Sequence, residues 1–472
     1  MLADAVVDAA YQAALESLFS LIDYERRPSG SYSTAEFKLE RMGALLDELG
    51  RPQERIPVVH IAGTKGKGST AAMTARILQA AGYQTGLFTS PHLYRFEERM
   101  TVNGRSPSPG TVVRLVDEVT EAWERVERRR PEWAPTFFEM TTAMAWRYFE
   151  SQQVDLAILE VGLGGRLDAT NLCRPLATII TSISRDHMHL LGNTLSEIAS
   201  EKAGIIKPGV PVLSGVTESE SREPIAQAAR ERGAPLYEIG SEILVSATGC
   251  DLAARSLRPA RWTMSVLSPW ERHESLQVPL PGEHQVANAA LAVAAVDLLE
   301  LEGYHGGSGA VRKGLNAVNW PLRIEVVRDR PLTIVDSAHN RASIAALIGT
   351  LTPIAAGRKI LVFGTSQDKD AVEMLRAAGP AFAETILTQY EGNARALPSD
   401  ELVETAAAAG LIGCRVEPTI DAAVARADAM AGPGDLICVT GSFFLAAEAR
   451  RLLLGSGTPV NGDVLAELTR IS

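Results

Sequence analysis

The stretch Gly63-Thr-Lys-Gly-Lys-Gly-Ser69 constrains this chain more than any other. It lies between a strand pattern over residues 56–61 and a helical pattern over residues 70–81. A glycine-rich turn from strand into helix exposes backbone N–H groups at a helix N-terminus, a geometry that attracts phosphate. Lys67 adds a mobile positive charge, and Ser69 adds a hydroxyl suited to Mg²⁺. The stretch is not a Walker A loop. Ile61 stands where that pattern has its first glycine, and Gly68 separates Lys67 from Ser69.

Strand and helix patterns alternate on both sides of the loop. Helices are expected over residues 4–22, 35–49, 111–129 and 140–151, and a loop containing Pro28 follows the first. Apolar runs over 86–89, 155–161, 176–183, 210–213 and 236–239 read as strands of a buried parallel sheet. Residues 242–280 change character and read as a small antiparallel insert before an Ala-rich helix over 286–301. Beyond Asn319-Trp320-Pro321 the alternation restarts, with strands over 332–336, 359–363, 384–388 and 436–440. The fold class is therefore α/β. An N-terminal P-loop-type ATPase domain over residues 1–318 has a mostly parallel sheet, and a smaller Rossmann-like α/β domain spans 319–472.

A formal net charge of -11 argues against a broad nucleic-acid surface, so an anionic ligand must be met by local basic residues and metal. Cys173, Cys250, Cys414 and Cys438 show no CxxC spacing and read as reduced thiols. The first residues lack a basic stretch of the signal-peptide kind, and no apolar run reaches membrane-spanning length. The cytoplasm, without a membrane partner, is the expected compartment.

In open α/β sheets ligands gather beyond the carboxyl ends of strands. Those ends carry the phosphate loop, Ser90, Glu160 and Ser184-Arg-Asp-His187. A carboxylate closing an apolar strand beside a phosphate loop suits Mg²⁺. Glu160 alone reads equally as a capping or salt-bridged acid, and the parallel placement of Ser90 and His187 favours the metal reading. Lys202 follows Leu195, Ile198 and Ala199 at helical spacing, on the apolar face of a helix opened by a Thr194–Glu197 capping box. A buried neutral amine could take up CO₂ as a carbamate and ligate a second ion, but a lysine snorkelling to the helix end fits the pattern equally. Thr136-Phe-Phe-Glu139 reads as an apolar wall beside a carboxylate for a heteroaromatic ring, or more simply as a helix entry with core phenylalanines. Arg323 and Asp336 of the second domain could close over a nucleotide held by the first.

Taken in order along the chain, these residues resemble the folylpolyglutamate synthase/dihydrofolate synthase family of the Mur ligase superfamily. The matching stretches include Gly63–Ser69, Ser90-Pro-His-Leu93, Thr136–Glu139, Leu159–Asn171, Asp186-His187, Glu201-Lys-Ala-Gly-Ile205, His284-Gln285 with Asn288, Asp336 with His339-Asn340, and Asp368-Lys-Asp370. The resemblance implies an ATP-dependent ligase that phosphorylates a substrate carboxylate, which the amine of L-glutamate then attacks. It implies dihydropteroate or reduced folates as acceptors, two Mg²⁺ ions, room for a monovalent cation, and a monomer.

Its roles carry over by position. Thr64, Lys65, Gly66, Lys67, Gly68, Ser69, Asn288, Arg323 and Asp336 would hold ATP. Ser90, Glu160, His187 and carbamylated Lys202 would hold metal, with Lys67, Lys202 and His187 as the catalytic set. Thr136, Phe137, Phe138, Glu139, Leu167, Asp168 and Ala169 would contact the pterin. His339, Asn340, Asp368 and Lys369 would line the glutamate side of the cleft. Three positions depart from the family pattern. Lys65 stands where many bacterial members have Asn, Ser337 replaces a usual Gly, and Leu322 occupies a small-residue position. They leave open a bifunctional or a monofunctional enzyme. A cell-wall Mur ligase would need a further N-terminal domain, for which about sixty residues before the loop are too few. A nucleotide-dependent switch or scaffold would not need the Glu160, His187 and Lys202 set.

Overall fold

A computed structural model describes residues 2–25, 36–249, 260–391 and 393–455. The Pro28 loop, Cys250 and residues 250–259 of the insert lie outside the described residues. Seven strands form the first sheet: β1 Val58–Ala62, β2 Thr85–Phe88, β3 Met100–Val102, β4 Leu156–Glu160, β5 Pro175–Ile180, β6 Val212–Ser214 and β7 Leu236–Glu238. Their spatial order is β3-β2-β4-β1-β5-β6-β7. All neighbours run parallel except β2 and β3. β1 is central, with all five residues buried. This is why it reads as a continuous apolar run rather than an alternating one.

Core side chains cover both faces of this sheet. One face packs Leu18, Met42, Leu45, Phe137, Trp146 and Phe149. The other packs Ile61, Ile77, Leu291 and Val293. The Ala-rich helix His284–Leu299 is buried on nearly every side, because the antiparallel sheet of β8 Leu244–Thr248, β9 Trp262–Leu267 and β10 Arg272–Val278 shares its apolar cluster. A helix enclosed on all sides cannot be amphipathic, and alanine permits the close approach.

The third sheet comprises β11 Glu325–Asp329, β12 Leu332–Val335, β13 Lys359–Phe363, β14 Glu384–Leu387, β15 Arg415–Val416 and β16 Leu436–Thr440, in the order β11-β12-β16-β13-β14-β15. It too is parallel except at its β11 edge, and apolar clusters cover both faces. The expected mixed α/β architecture is the one observed. The patterns missed β3, β11 and β15, which are short or edge strands with little buried alternation. The described cysteines Cys173, Cys414 and Cys438 are free, and no described helix is long and apolar enough to cross a membrane.

At the far end of the Ala-rich helix, His273 Nε2 lies 2.8 Å from Asp297 Oδ1, with Glu271 Oε2 at 3.7 Å. Ser268 donates to Asp297 at 2.6 Å. Burial opposes charge on the ring, but the hydrogen bond and charge of Asp297, with Glu271, outweigh it and raise the His273 pKa. Its charge therefore stabilises the fold fully below the ordinary histidine pKa, and that contribution is lost as pH rises through the raised value. His273→Gln should lower the melting temperature more at pH 6 than at pH 9, as thermal unfolding at the two values would show.

Candidate active site

Pairing of β1 with β4 and β5 sets Ile61 beside Glu160 and Ala62 beside Ile180, so three loops leave the sheet at one level. The loop after β1 is tied to the loop after β5. Thr64 N–H donates to the Ser182 carbonyl at 2.7 Å, and Lys65 N–H to Ser182 Oγ at 3.1 Å. Thr181 Oγ1 donates to the Lys65 carbonyl at 2.6 Å. The helix Lys67–Ala80 starts inside the glycine-rich stretch, earlier than its propensities suggest, with Gly66 as N-cap at φ 88°. Only glycine fits there: besides the left-handed backbone, a Cβ would lie 2.2 Å from Asn288 Oδ1. Lys67, Gly68 and Ser69 thus form the first helical turn and line the cavity. Ser69 Oγ is buried there without a hydrogen-bond partner.

Glu160 ends β4, accepts the Ser90 N–H at 3.3 Å and has Lys67 Nζ at 3.9 Å. Burial raises its pKa, and Lys67 works against that rise. His187 has left-handed backbone at φ 49°, and its Nδ1 is buried without a partner. Burial first, then Lys369, pushes its pKa well down, so the ring is neutral. Non-glycine residues in this backbone region persist where the surroundings over-determine them, often at functional sites.

Lys202 sits on the helix Leu195–Ala203, which opens with the expected Thr194–Glu197 capping box. It is only 4% exposed and lines the cavity, so it does not snorkel to solvent. Burial, with Lys67 nearby, pushes its pKa down to about 7.

One cavity of about 650 Å³ collects these groups with residues from the third-sheet half. Arg323 and Asp336 line it. Asp336 accepts the N–H groups of Ile324 and Ala338 at 2.8 Å each, which shapes the turn that carries Arg323. Ser337 Oγ accepts from the Arg323 guanidinium, so the serine that departs from the family glycine orients this arginine. Leu322, at the small-residue position, is buried with φ 60°, the backbone region that favours glycine. His339 and Lys369 also line the cavity.

Asn340 and Asp368 do not line it. Asn340 caps the helix Arg341–Leu351, and Asp368 pairs with Lys369 at 3.2 Å and Arg395 at 2.5 Å. Both hold neighbours in place rather than facing a ligand.

The apolar end of the cavity is built from Phe138, Leu167 and Ala169, joined by Tyr24, Phe37 and Met42. Phe137, expected to contact the pterin, packs in the core against Phe19 and Phe96 instead. Adjacent helical residues point about a hundred degrees apart, so only one of the two phenylalanines faces the cavity. Glu139 lines the cavity, but both its oxygens lie 2.8 Å from Arg41 Nε, and it closes a capping box with Thr136. Asp168 likewise accepts from Thr170 and from the Leu163 N–H at 2.9 Å. The helix-entry reading of Thr136–Glu139 therefore holds for Phe137 and for the capping pair. The sequence pattern does not single out Arg41, and it places Asp186 at a strand end beside His187 without a role; the charges of both look like surface residues until the fold encloses their side chains.

Two domain families match the chain, the Mur ligase middle domain over residues 131–296 and the Mur ligase, glutamate ligase domain over 322–443. Fold and cleft are thus those of a Mur-type ligase. A dihydrofolate synthase/folylpolyglutamate synthase of Bacillus subtilis is 35% identical over 422 residues, covering 88% of this chain and 94% of the relative. A folylpolyglutamate synthase of Lacticaseibacillus casei is 34% identical over 417 residues, with the same coverage of 88% and 94%. The crystal structure of Mycobacterium tuberculosis folylpolyglutamate synthase complexed with ADP and AMPPCP matches with TM-score 0.85 and 30% identity, over 96% of this chain and 99% of that one. The chain belongs to the folylpolyglutamate synthase/dihydrofolate synthase family.

Gly66→Ala should destabilise the protein by about 1–2 kcal/mol from the left-handed backbone alone, with the Asn288 clash added. Urea unfolding should show that Asn288→Ala in the same chain recovers part of the loss.

Proposed function

We propose that this chain joins L-glutamate to dihydropteroate and to reduced folate polyglutamates at the expense of ATP, releasing ADP and phosphate. One observation carries the reading. The glycine-rich loop, Glu160, His187 and Lys202 share a single cavity with Arg323 and Asp336 from the other half of the chain. Small molecules are the partners in this reading, and the enzyme acts as a cytoplasmic monomer. Residues 1–318 serve as the ATPase domain and 319–472 as the ligase domain.

In this mechanism the first-turn N–H groups at Lys67–Ser69, with Thr64 and Lys65, receive the phosphates, and Lys67 offsets their charge. Asn288, Arg323 and Asp336 hold the rest of the nucleotide. A substrate carboxylate oxygen attacks the γ-phosphorus, and the bond to ADP breaks. The acyl phosphate then meets the amine of L-glutamate. The amide bond forms, phosphate leaves, and the amine sheds its protons.

The site suits Mg²⁺. His187 Nδ1 and Ser69 Oγ are buried without a hydrogen-bond partner, the buried Glu160 carboxylate accepts the Ser90 N–H, and all three residues line the cavity. Ser90, Glu160, His187 and Lys202 as its carbamate would hold two ions, with a monovalent cation beside them. When bound, the ions supply positive charge that lowers the cost of phosphoryl transfer. Phe138, Leu167 and Ala169 form the pterin wall, with Thr136, Glu139 and Asp168 holding its shape. His339 and Lys369 face the glutamate side.

A second reading, a monofunctional folylpolyglutamate synthase, is favoured by Lys65 in place of the asparagine common in bacterial members.

The test is incubation with Mg-ATP and L-glutamate plus dihydropteroate, tetrahydrofolate or neither, following phosphate release and product mass. Turnover with both acceptors is expected. Turnover with tetrahydrofolate alone supports the second reading, and turnover only with a UDP-linked acceptor refutes both. Lys67→Ala should lower kcat by about 100-fold or more.

Because the Lys202 pKa is pushed down to about 7, its amine is neutral above that pH and able to take up CO₂. Activity in CO₂-depleted buffer should therefore rise with added bicarbonate, more readily at pH 8 than at pH 6. Carbon-13 bicarbonate should give a carbamate resonance that Lys202→Ala abolishes, and a short carboxylate should restore activity to that variant. Absence of both the resonance and the rescue would refute the carbamate.

A further inference from the structure

Asp186 gathers side chains from both halves of the molecule, and phosphate or metal binding does not account for its position. Its side chain is 7% exposed. Oδ2 accepts from Lys65 Nζ of the phosphate loop at 2.9 Å. The same oxygen lies 3.5 Å from His339 Nε2 and 3.4 Å from Asn340 Nδ2, both in the loop after β12. Oδ1 accepts from Lys369 Nζ, in the loop after β13, at 2.8 Å, and from the His187 N–H at 3.0 Å. Lys65 also touches His339 directly. The carboxylate thus stands between two ammonium groups that belong to different sheets.

Each carboxylate oxygen is engaged by an ammonium group, Oδ2 by Lys65 and Oδ1 by Lys369. Without the carboxylate two partly buried ammonium groups would face each other across the cleft, and like charges in a partly desolvated site repel. The remaining neighbours reinforce this arrangement. Lys369 also pairs with Asp368, which Arg395 holds, and Arg395 donates to the Glu25 carbonyl at 2.9 Å.

We propose that Asp186 is a positioning residue that clamps the third-sheet half onto the phosphate loop, setting Lys369 and His339 across the cleft from that loop. The kinetic consequence rests on the ligase reading above, whereas the clamp itself does not. Asp186 acts through Lys65 and Lys369, not on the reacting atoms, so its loss affects the assembled cleft more than the first encounter with nucleotide.

The test uses Asp186→Asn, which keeps size and one acceptor but removes the charge. Relative to wild type, kcat for glutamate ligation should fall at least tenfold, while KM for Mg-ATP changes less than threefold. Lys369→Met should behave alike, and the double variant should be no worse than the worse single, because both break one contact. Small-angle scattering of substrate-free protein should show a radius of gyration larger by about 1 Å or more in each variant. Full activity of Asp186→Asn, additive losses in the double variant, or unchanged scattering would each overturn the proposal. Should Asp186→Asn fail to fold, the scattering and kinetics of Lys369→Met decide alone. If wild type itself lacks ligase activity, the ligase reading fails while the scattering arm still judges the clamp.

Discussion

The parallel pairing of β1 with β4 and β5 is the constraint on which the rest of the structure depends. Because Ile61 sits beside Glu160 and Ala62 beside Ile180, the loops after three strands begin at one height. The phosphate loop therefore need not hold itself in shape. Thr64 and Lys65 are tied to Ser182, and Thr181 is tied to Lys65, so the loop inherits the rigidity of the sheet. Slippage of β5 by one residue would turn its buried side chains to the opposite face and carry the anchoring loop away.

The cleft inverts the electrostatics of the whole molecule. A chain with net charge -11 gathers Lys65, Lys67, Lys202 and Arg323 around one cavity, with Lys202 buried and the others partly so. The nearby carboxylates differ in what they do. Asp186 and Asp368 are held ionised by adjacent cations, whereas burial raises Glu160 and Asp336. Desolvation makes each of these charges strong at short range, and it also makes each unpaired group costly. The orphaned His187 Nδ1 and Ser69 Oγ are therefore informative: a site built only for stability would have paired them.

Strand existence and type were legible because the central strands are buried on both faces and read as unbroken apolar runs, as at residues 359–363 and 436–440. The edges were not. β3, β11 and β15 gain their pairing from neighbours rather than from their own pattern. The helix begins at Lys67, three residues before its helical pattern does, since two glycines within the motif mask a helical turn that the phosphate-binding geometry needs. At the apolar end, adjacency misled: Phe137 and Phe138 are neighbours in sequence but face the core and the cavity respectively.

By itself the sequence determined the chemistry on offer: a glycine-rich turn with lysine and serine, carboxylates and histidine at strand ends, and a lysine on an apolar helix face. These follow from local rules of turn geometry, strand periodicity and helix spacing, which act over a few residues. Tertiary structure alone decided which of these groups meet. Glu139 is taken up by Arg41 and so shapes a wall rather than reads a ligand. Lys202 is enclosed rather than free to reach solvent, and Asp186 stands between Lys65 and Lys369 from different sheets. Such pairings join residues tens to hundreds of positions apart. They are set by strand order and burial, which no local pattern encodes.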